Sequence, residues 1–278
     1  MINAFLVGAL NPIAFRLGAI QVHWYGIFIG SAVIIALWLA VREGHRQGLD
    51  EDVFYDYLLW ALPIAIICAR IYYVVFQWPY YSLHPGEIIA IWDGGIAIYG
   101  AIIGGFLVLY FYCRYHHLSA WQLLDIIAPT VIMAQGIGRW GNFMNQEAFG
   151  RVTTRAALAS QHIPNWIISQ MLIGGHYRVP TFLYESLWDL AGFVLLMLLR
   201  HRHHLFKRGE VFLAYVLWYA TGRFFIEGMR TDSLMFGPIR ISQLLSLVFF
   251  VASLVILIMR RRHKRLPWYI VKGENKNE

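Results

Sequence analysis

Residues 241–259 read ISQLLSLVFFVASLVILIM, and the next three are Arg260, Arg261 and Arg262. A charge-free run of this length matches the roughly 20 residues a helix needs to cross about 30 Å of hydrocarbon. A soluble helix would confine its apolar residues to one stripe instead. Six more blocks of similar length fall near 20–41, 54–76, 96–113, 120–137, 182–199 and 210–228. The pattern predicts an all-α polytopic membrane protein of about seven transmembrane helices, forming a single integral membrane domain over residues 1–278. Composition agrees, since 59% of the residues are hydrophobic and only 14% charged, about half the usual charged share of a soluble domain.

The basic residues follow alternate blocks. Arg42, His45 and Arg46 come after the first, Arg114, His116 and His117 after the third, and Arg200, Arg202, Lys207 and Arg208 after the fifth. Arg260, Arg261, Arg262, Lys264 and Arg265 come after the seventh. If each block crosses once, these four runs share one side, and an excess of Lys and Arg marks that side as cytoplasmic. The N-terminus then lies outside and the C-terminus inside, with 77–95, 138–181 and 229–240 external. The 77–95 loop has no Lys or Arg. The polar, glycine-containing 138–181 stretch is expected to form a small external head region between helices 4 and 5. The net charge of +7 is therefore a topological signal rather than a nucleic-acid footprint. Cys68 and Cys113 sit in apolar blocks at different expected depths, which argues against a disulfide, and nothing resembles a Cys/His metal set. Met1–Pro12 lacks the basic start and small-residue cleavage site of a signal peptide.

Polar groups at membrane depth are costly, so each one is a functional candidate. They gather at the expected outer ends of the blocks: His23, Trp24 and Tyr25; Arg70; Asp93 and Tyr99; the run Gly138–Glu147; Tyr184 and Glu185; and Arg223, Glu227 and Arg230. Arg223, Glu227 and Arg230 are spaced four and three apart, which puts them on one helical face. That face could aim at a ligand or could neutralise itself as a structural cluster. Arg139 lies between Gly138 and Trp140-Gly141 on the same expected side, where backbone can approach a bound group. Arginines meeting there would suit a lipid phosphate, because guanidinium forks match phosphate oxygens. Other features have plainer readings. The pairs Gly26/Gly30 and Gly100/Gly104 suit close helix packing, and Trp78, Tyr80, Tyr81 and Trp92 suit an interfacial aromatic belt. Asp125 and Gln135 suit a polar seam between helices. A polytopic transporter or another phospholipid-processing enzyme would share this composition, but no internal repeat of the kind transporters carry is present.

The run Gly138–Glu147, G-R-W-G-N-F-M-N-Q-E, resembles the signature of the prolipoprotein diacylglyceryl transferases. So do H-W-Y-G at His23–Gly26, D-G-G-x-x-x-Y-G at Asp93–Gly100, P-T-x-L-Y-E at Pro180–Glu185 and R-F-x-x-E-x-x-R at Arg223–Arg230, all in family order. The resemblance implies a seven-helix enzyme of the bacterial cytoplasmic membrane with its active site toward the outer face. It implies that the diacylglyceryl group of phosphatidylglycerol passes to the lipobox cysteine of a prolipoprotein, leaving a thioether and releasing glycerol phosphate. Arg139, Arg230, Tyr99 and Glu147 are the catalytic candidates. Asn142, Asn145, Tyr25, His23, Arg70, Arg223, Glu227, Tyr184 and Glu185 join Arg139 as substrate-binding candidates. The expected partners are phosphatidylglycerol, the prolipoprotein and the membrane, without nucleic acid, cofactor or metal. One position departs from the pattern: many members carry histidine where this chain has Tyr99. A phenol is a poorer base than an imidazole at neutral pH, so Tyr99, Tyr25 and Glu147 all remain open as acceptor of the thiol proton.

Overall fold

A backbone surrounded by lipid must satisfy its own hydrogen bonds, and helices do this within one segment. The computed structural model, which describes residues 10–18, 20–231, 233, 235–237, 239–262 and 265–269, is accordingly dominated by long helices. Strands β1 (Ile13–Leu17) and β2 (Ile20–His23) form an antiparallel hairpin that leads directly into α1 (Trp24–Arg46). Helix α2 (Asp52–Phe76) is followed by the short α3 (Trp78–Tyr81), two single 3-10 turns and α4 (Ile98–Tyr115). Helix α5 (Ala120–Met144) comes next. A small region follows with β3 (Val152–Thr153), α6 (Arg155–Ser160), α7 (Asn165–Gln170), β4 (Leu172–Ile173) and β5 (His176–Arg178), its strands ordered β3-β5-β4. Helices α8 (Thr181–Arg200) and α9 (Glu210–Met229), the hairpin of β6 (Met235–Phe236) and β7 (Ile239–Arg240), and α10 (Ile241–Arg262) complete the order.

Six of these helices, α1, α2, α4, α5, α8 and α10, are long and apolar enough to cross a membrane. Each overlaps an expected block. Helix α9 has 20 residues but stands outside this set, since it carries Glu210, Arg223 and Glu227 among its apolar side chains. Helix α5 continues through Met144, so Gly138–Met144 is helical rather than part of the expected head segment. Lys264, most of Met1–Pro12 and the side chain of Asp93 lie outside the described residues.

The chain divides into two units, residues 39–126 and residues 1–38 with 127–278. In the 39–126 unit, α4 lies along α2 at backbone distance. A methyl group on Gly100 would come within 2.3 Å of the Cys68 carbonyl, and one on Gly104 within 2.9 Å of the Ala65 Cα. Glycine is required there because the helices have no room for a Cβ. Both cysteines in this unit are free thiols.

In the other unit, α8 and α9 are locked by two tryptophans. The rings of Trp188 and Trp218 stack at 4.4 Å, and each indole N–H donates to the other residue's carbonyl, at 3.0 and 2.9 Å. Gly222 and Gly192 make room for these rings. Helix α10 joins α9 through Gln243 Nε2, which donates to the Phe224 carbonyl at 3.0 Å. The small region between α5 and α8 has its own core of Phe143, Leu158, Ile163, Ile167, Ile168, Met171 and Phe182. At the far end of α9, the buried Glu210 carboxylate accepts from the Lys207 backbone N–H and pairs with Arg261.

Candidate functional site

Three helices of the 1–38/127–278 unit bring charged groups to one place. Glu185 of α8 is the hub: its Oε1 lies 2.7 Å from an Arg139 guanidinium nitrogen of α5 and 3.2 Å from an Arg223 nitrogen of α9. The other terminal nitrogen of Arg223 lies 2.6 Å from Glu227 Oε2, one helical turn on. This last contact is ionic rather than an aligned hydrogen bond, since Glu227 Oε2 has no hydrogen-bond partner among the described residues. The result is a ladder, Arg139–Glu185–Arg223–Glu227, with charges alternating in sign. The two carboxylates are almost fully buried at 4% and 2% side-chain exposure, whereas the two arginines keep 20% and 17%. Charge buried in this way is tolerable only when paired. Arg139 is incompletely used, because its Nε is buried without a hydrogen-bond partner.

The ladder is supported on both sides of Arg139. Trp140 donates its indole N–H to the Ser186 hydroxyl at 3.2 Å, a second tie between α5 and α8. Gly141 receives the ring of Tyr25, and a methyl there would stand 2.5 Å from the ring. Beyond the helix end the chain turns sharply, with Gln146 and Ala148 at φ 51° and 55°, a conformation few non-glycine residues adopt without support. Support comes from Glu147. Its Oε1 accepts from Asn142 at 2.8 Å and Asn145 at 3.4 Å, and its backbone N–H donates to the Asn142 carbonyl at 3.0 Å. These three motif residues thus form one local network. A narrow cleft beside them is lined by Gln146, Gln170, Phe149, Met171 and Phe182.

Arg230 does not share a helical face with Arg223 and Glu227. Helix α9 ends at Met229, and Arg230 is extended, at φ −75° and ψ 151°. The reason is a competing backbone partner: Arg230 bridges to Gly150, and the Arg151 N–H donates to the Met229 carbonyl at 3.1 Å. The motif turn and the end of α9 are therefore joined through backbone. His23 is exposed at the end of β2, Tyr25 is exposed near the start of α1, and the Tyr184 hydroxyl bonds the Gln161 side chain.

Arg70 and Tyr99 belong to the 39–126 unit. The buried Arg70 spends its guanidinium on backbone: Nε donates to the Ile88 carbonyl at 2.8 Å, and the terminal nitrogens donate to Gly94 at 2.7 Å, Gly95 at 2.8 Å and Glu87 at 2.6 Å. Tyr81 covers it at 5.2 Å and is itself buried, so this tyrosine is no part of an exposed aromatic belt. Tyr99 is half-buried on the first turn of α4, 6.2 Å from the ring of Tyr72.

Asp189, absent from the expected site, is 1% exposed one turn after Glu185, and its Oδ2 has no hydrogen-bond partner among the described residues. The sequence signal was present: an acid four residues from another in an otherwise apolar helix shares its face. The Trp140 indole and the Asn142 and Asn145 carboxamides are spent on Ser186 and Glu147, so the donor left unsatisfied there, among the described residues, is Arg139 Nε, a guanidinium nitrogen suited to an anion.

The family model described as prolipoprotein diacylglyceryl transferase matches residues 12–259. A phosphatidylglycerol–prolipoprotein diacylglyceryl transferase of Limosilactobacillus reuteri is 76% identical over 277 residues, covering 100% of both chains. Proteins of the same name from Pediococcus pentosaceus and Listeria monocytogenes are 63% and 54% identical, covering 95% of this chain and 96% and 95% of their own.

Proposed function

The chain belongs to the prolipoprotein diacylglyceryl transferase family, and from that premise we propose that Arg139, backed by Glu185, holds the phosphate of phosphatidylglycerol while a prolipoprotein cysteine attacks the lipid. The protein is a multi-pass bacterial membrane transferase of lipoprotein maturation, with phosphatidylglycerol and prolipoprotein as its substrates. In the proposed step the cysteine thiolate attacks the glycerol carbon that bears the phosphate ester. A carbon–sulfur bond forms, the carbon–oxygen bond breaks, and its electron pair leaves with glycerol phosphate. Negative charge grows on the departing phosphate, where fixed guanidinium groups act most strongly.

The single observation that carries this reading is the incomplete use of Arg139: one nitrogen is pinned by Glu185, Nε is unsatisfied, and the side chain keeps 20% of its exposure. Arg230, tied by backbone to the motif turn, is the second proposed phosphate ligand. Glu147, Asn142 and Asn145 are proposed to shape the turn that receives the peptide. The thiol proton passes to Tyr99, Tyr25 or Glu147.

The finer topology is part of the same proposal. Helix α9 is the sixth of seven spans, its charges tolerated because Arg223 pairs with Glu185 and Glu227. The alternating Lys/Arg runs support an external N-terminus, an external head between α5 and α8, a cytoplasmic C-terminus and an active site at the outer face. Arg139→Ala is expected to insert and fold yet to yield no thioether when supplied with phosphatidylglycerol and a lipobox peptide. Near-normal transfer by that variant would refute the phosphate role.

A further inference from the structure

Helix α4 starts well below the end of α2. The Ala97 N–H donates to the Ala69 carbonyl at 3.1 Å, and Gly100 packs on Cys68 and Ala69. Helix α2 nevertheless continues to Phe76, six residues beyond Arg70, or about 9 Å at 1.5 Å per residue. The connecting segment 82–97 must therefore climb past the end of α2 and fold back down beside it. Both helices present lipid-type faces at this level, with Ile71, Val75 and Ile102 exposed.

The segment itself has the wrong surface for water. Leu83 is 77% exposed, Ile89 74% and Trp92 75%, and Ile91 and Ile96 are exposed as well. It contains no lysine or arginine. An irregular segment in a water-poor layer would normally be excluded, because its carbonyls would go unsatisfied. Here four of them, at Glu87, Ile88, Gly94 and Gly95, are taken by the single guanidinium of Arg70. The backbone N–H groups of Glu87, Ile88, Ala90, Ile91 and Gly94 are closed within the segment's own turns. Gly95 is needed for the closeness of this clasp, since a Cβ there would lie 2.5 Å from Arg70 and 2.8 Å from Tyr73.

We propose that the 83–96 segment lies in the interfacial layer of the bilayer as a lipid-contacting platform, and that Arg70 is the clasp that allows its irregular backbone to stay there. The partner is the lipid surface, because Leu83, Ile89, Ile91, Trp92 and Ile96 outnumber the exposed polar side chains His84 and Glu87, and the faces of α2 and α4 at this level are exposed and apolar as well. This inference concerns location and is independent of the transfer reading.

The test uses the full chain with Cys68→Ser and Cys113→Ser, reconstituted in vesicles of phosphatidylglycerol and phosphatidylcholine. Nitroxide labels are placed through Leu83→Cys, Ile89→Cys and Trp92→Cys in separate proteins. Oxygen is expected to relax each label more than a water-soluble nickel chelate does. Stronger relaxation by the chelate would put the segment in water and overturn the proposal. Weak relaxation by both would mean that protein, another segment or a second copy, covers it, and would overturn it equally. Adding Arg70→Gln to the Ile89 label is expected to shift the ratio several-fold toward the chelate, and an unchanged ratio would remove Arg70 from its role as clasp.

Discussion

Glu185 holds two arginines with one oxygen, so replacing it exposes what the ladder does. Glu185→Gln keeps the shape but leaves Arg139 and Arg223 without their shared counter-charge. Breaking a buried pair from one side costs about 3 kcal/mol, read as a lower unfolding temperature in detergent, and transfer should fall with it. Adding Arg223→Gln is expected to lower stability further, because it strips the buried Glu227 of its ion-pair partner, whereas equal stability of Glu185→Gln and the parent would mean the pairing is idle. Tyr99 is the other residue whose chemistry is open. Tyr99→His is expected to retain transfer, and Tyr99→Phe to lose on the order of 100-fold, the low end of what a positioned acid or base contributes. A full rate in the Phe variant would leave the hydroxyl no catalytic part. The partnership of Arg223 with Glu227 could be read from spacing, because both lie on one helix. That of Arg139 with Glu185 could not, because nothing in a sequence states which helices face each other. Arg70 shows the same limit: a lone arginine in an apolar block signals cost, but not which oxygens meet it, and here the carbonyls of Glu87, Ile88, Gly94 and Gly95 do.

Glycines divide the helices into those that touch and those that do not. In α9, a methyl on Gly222 would stand 2.2 Å from the Trp188 indole nitrogen, and in α8 one on Gly192 would stand 2.4 Å from that of Trp218. Gly222→Ala and Gly192→Ala are each expected to cost about 1–3 kcal/mol through overpacking. Gly26→Ala should change stability by less than about 0.5 kcal/mol, because nothing lies within 4 Å of a methyl there. Thermal unfolding of the three variants checks the contrast, and equal losses would contradict it. From spacing alone, Gly26/Gly30 and Gly100/Gly104 looked alike, yet only the second pair meets another helix. The long helices were legible because apolar length is a strong signal, down to boundaries within several residues. The six-residue helices α6 and α7 and the two- and three-residue strands between α5 and α8 were not, since their order comes from packing around Phe143, Ile167 and Phe182 rather than from any periodic pattern.

Composition and charge bias suffice for a polytopic membrane protein, and the ordered motifs suffice for its family. The step between them, from a row of polar residues to a candidate site, requires the fold. Helices α5, α8 and α9, separated in sequence by the small region and by the basic turn near Lys207, converge to build a charge ladder that is neutral inside and open at Arg139. The most direct test weighs a lipobox peptide after incubation with the purified protein in phosphatidylglycerol vesicles, in parallel with Arg139→Lys, which keeps the charge but loses the fork. The expected result is a mass gain of one diacylglyceryl unit with the parent protein and a rate lower by about 100-fold or more with the lysine variant, as for loss of a fixed donor to a developing anion. A lysine variant as fast as its parent, or a parent that leaves the peptide mass unchanged, would contradict the account.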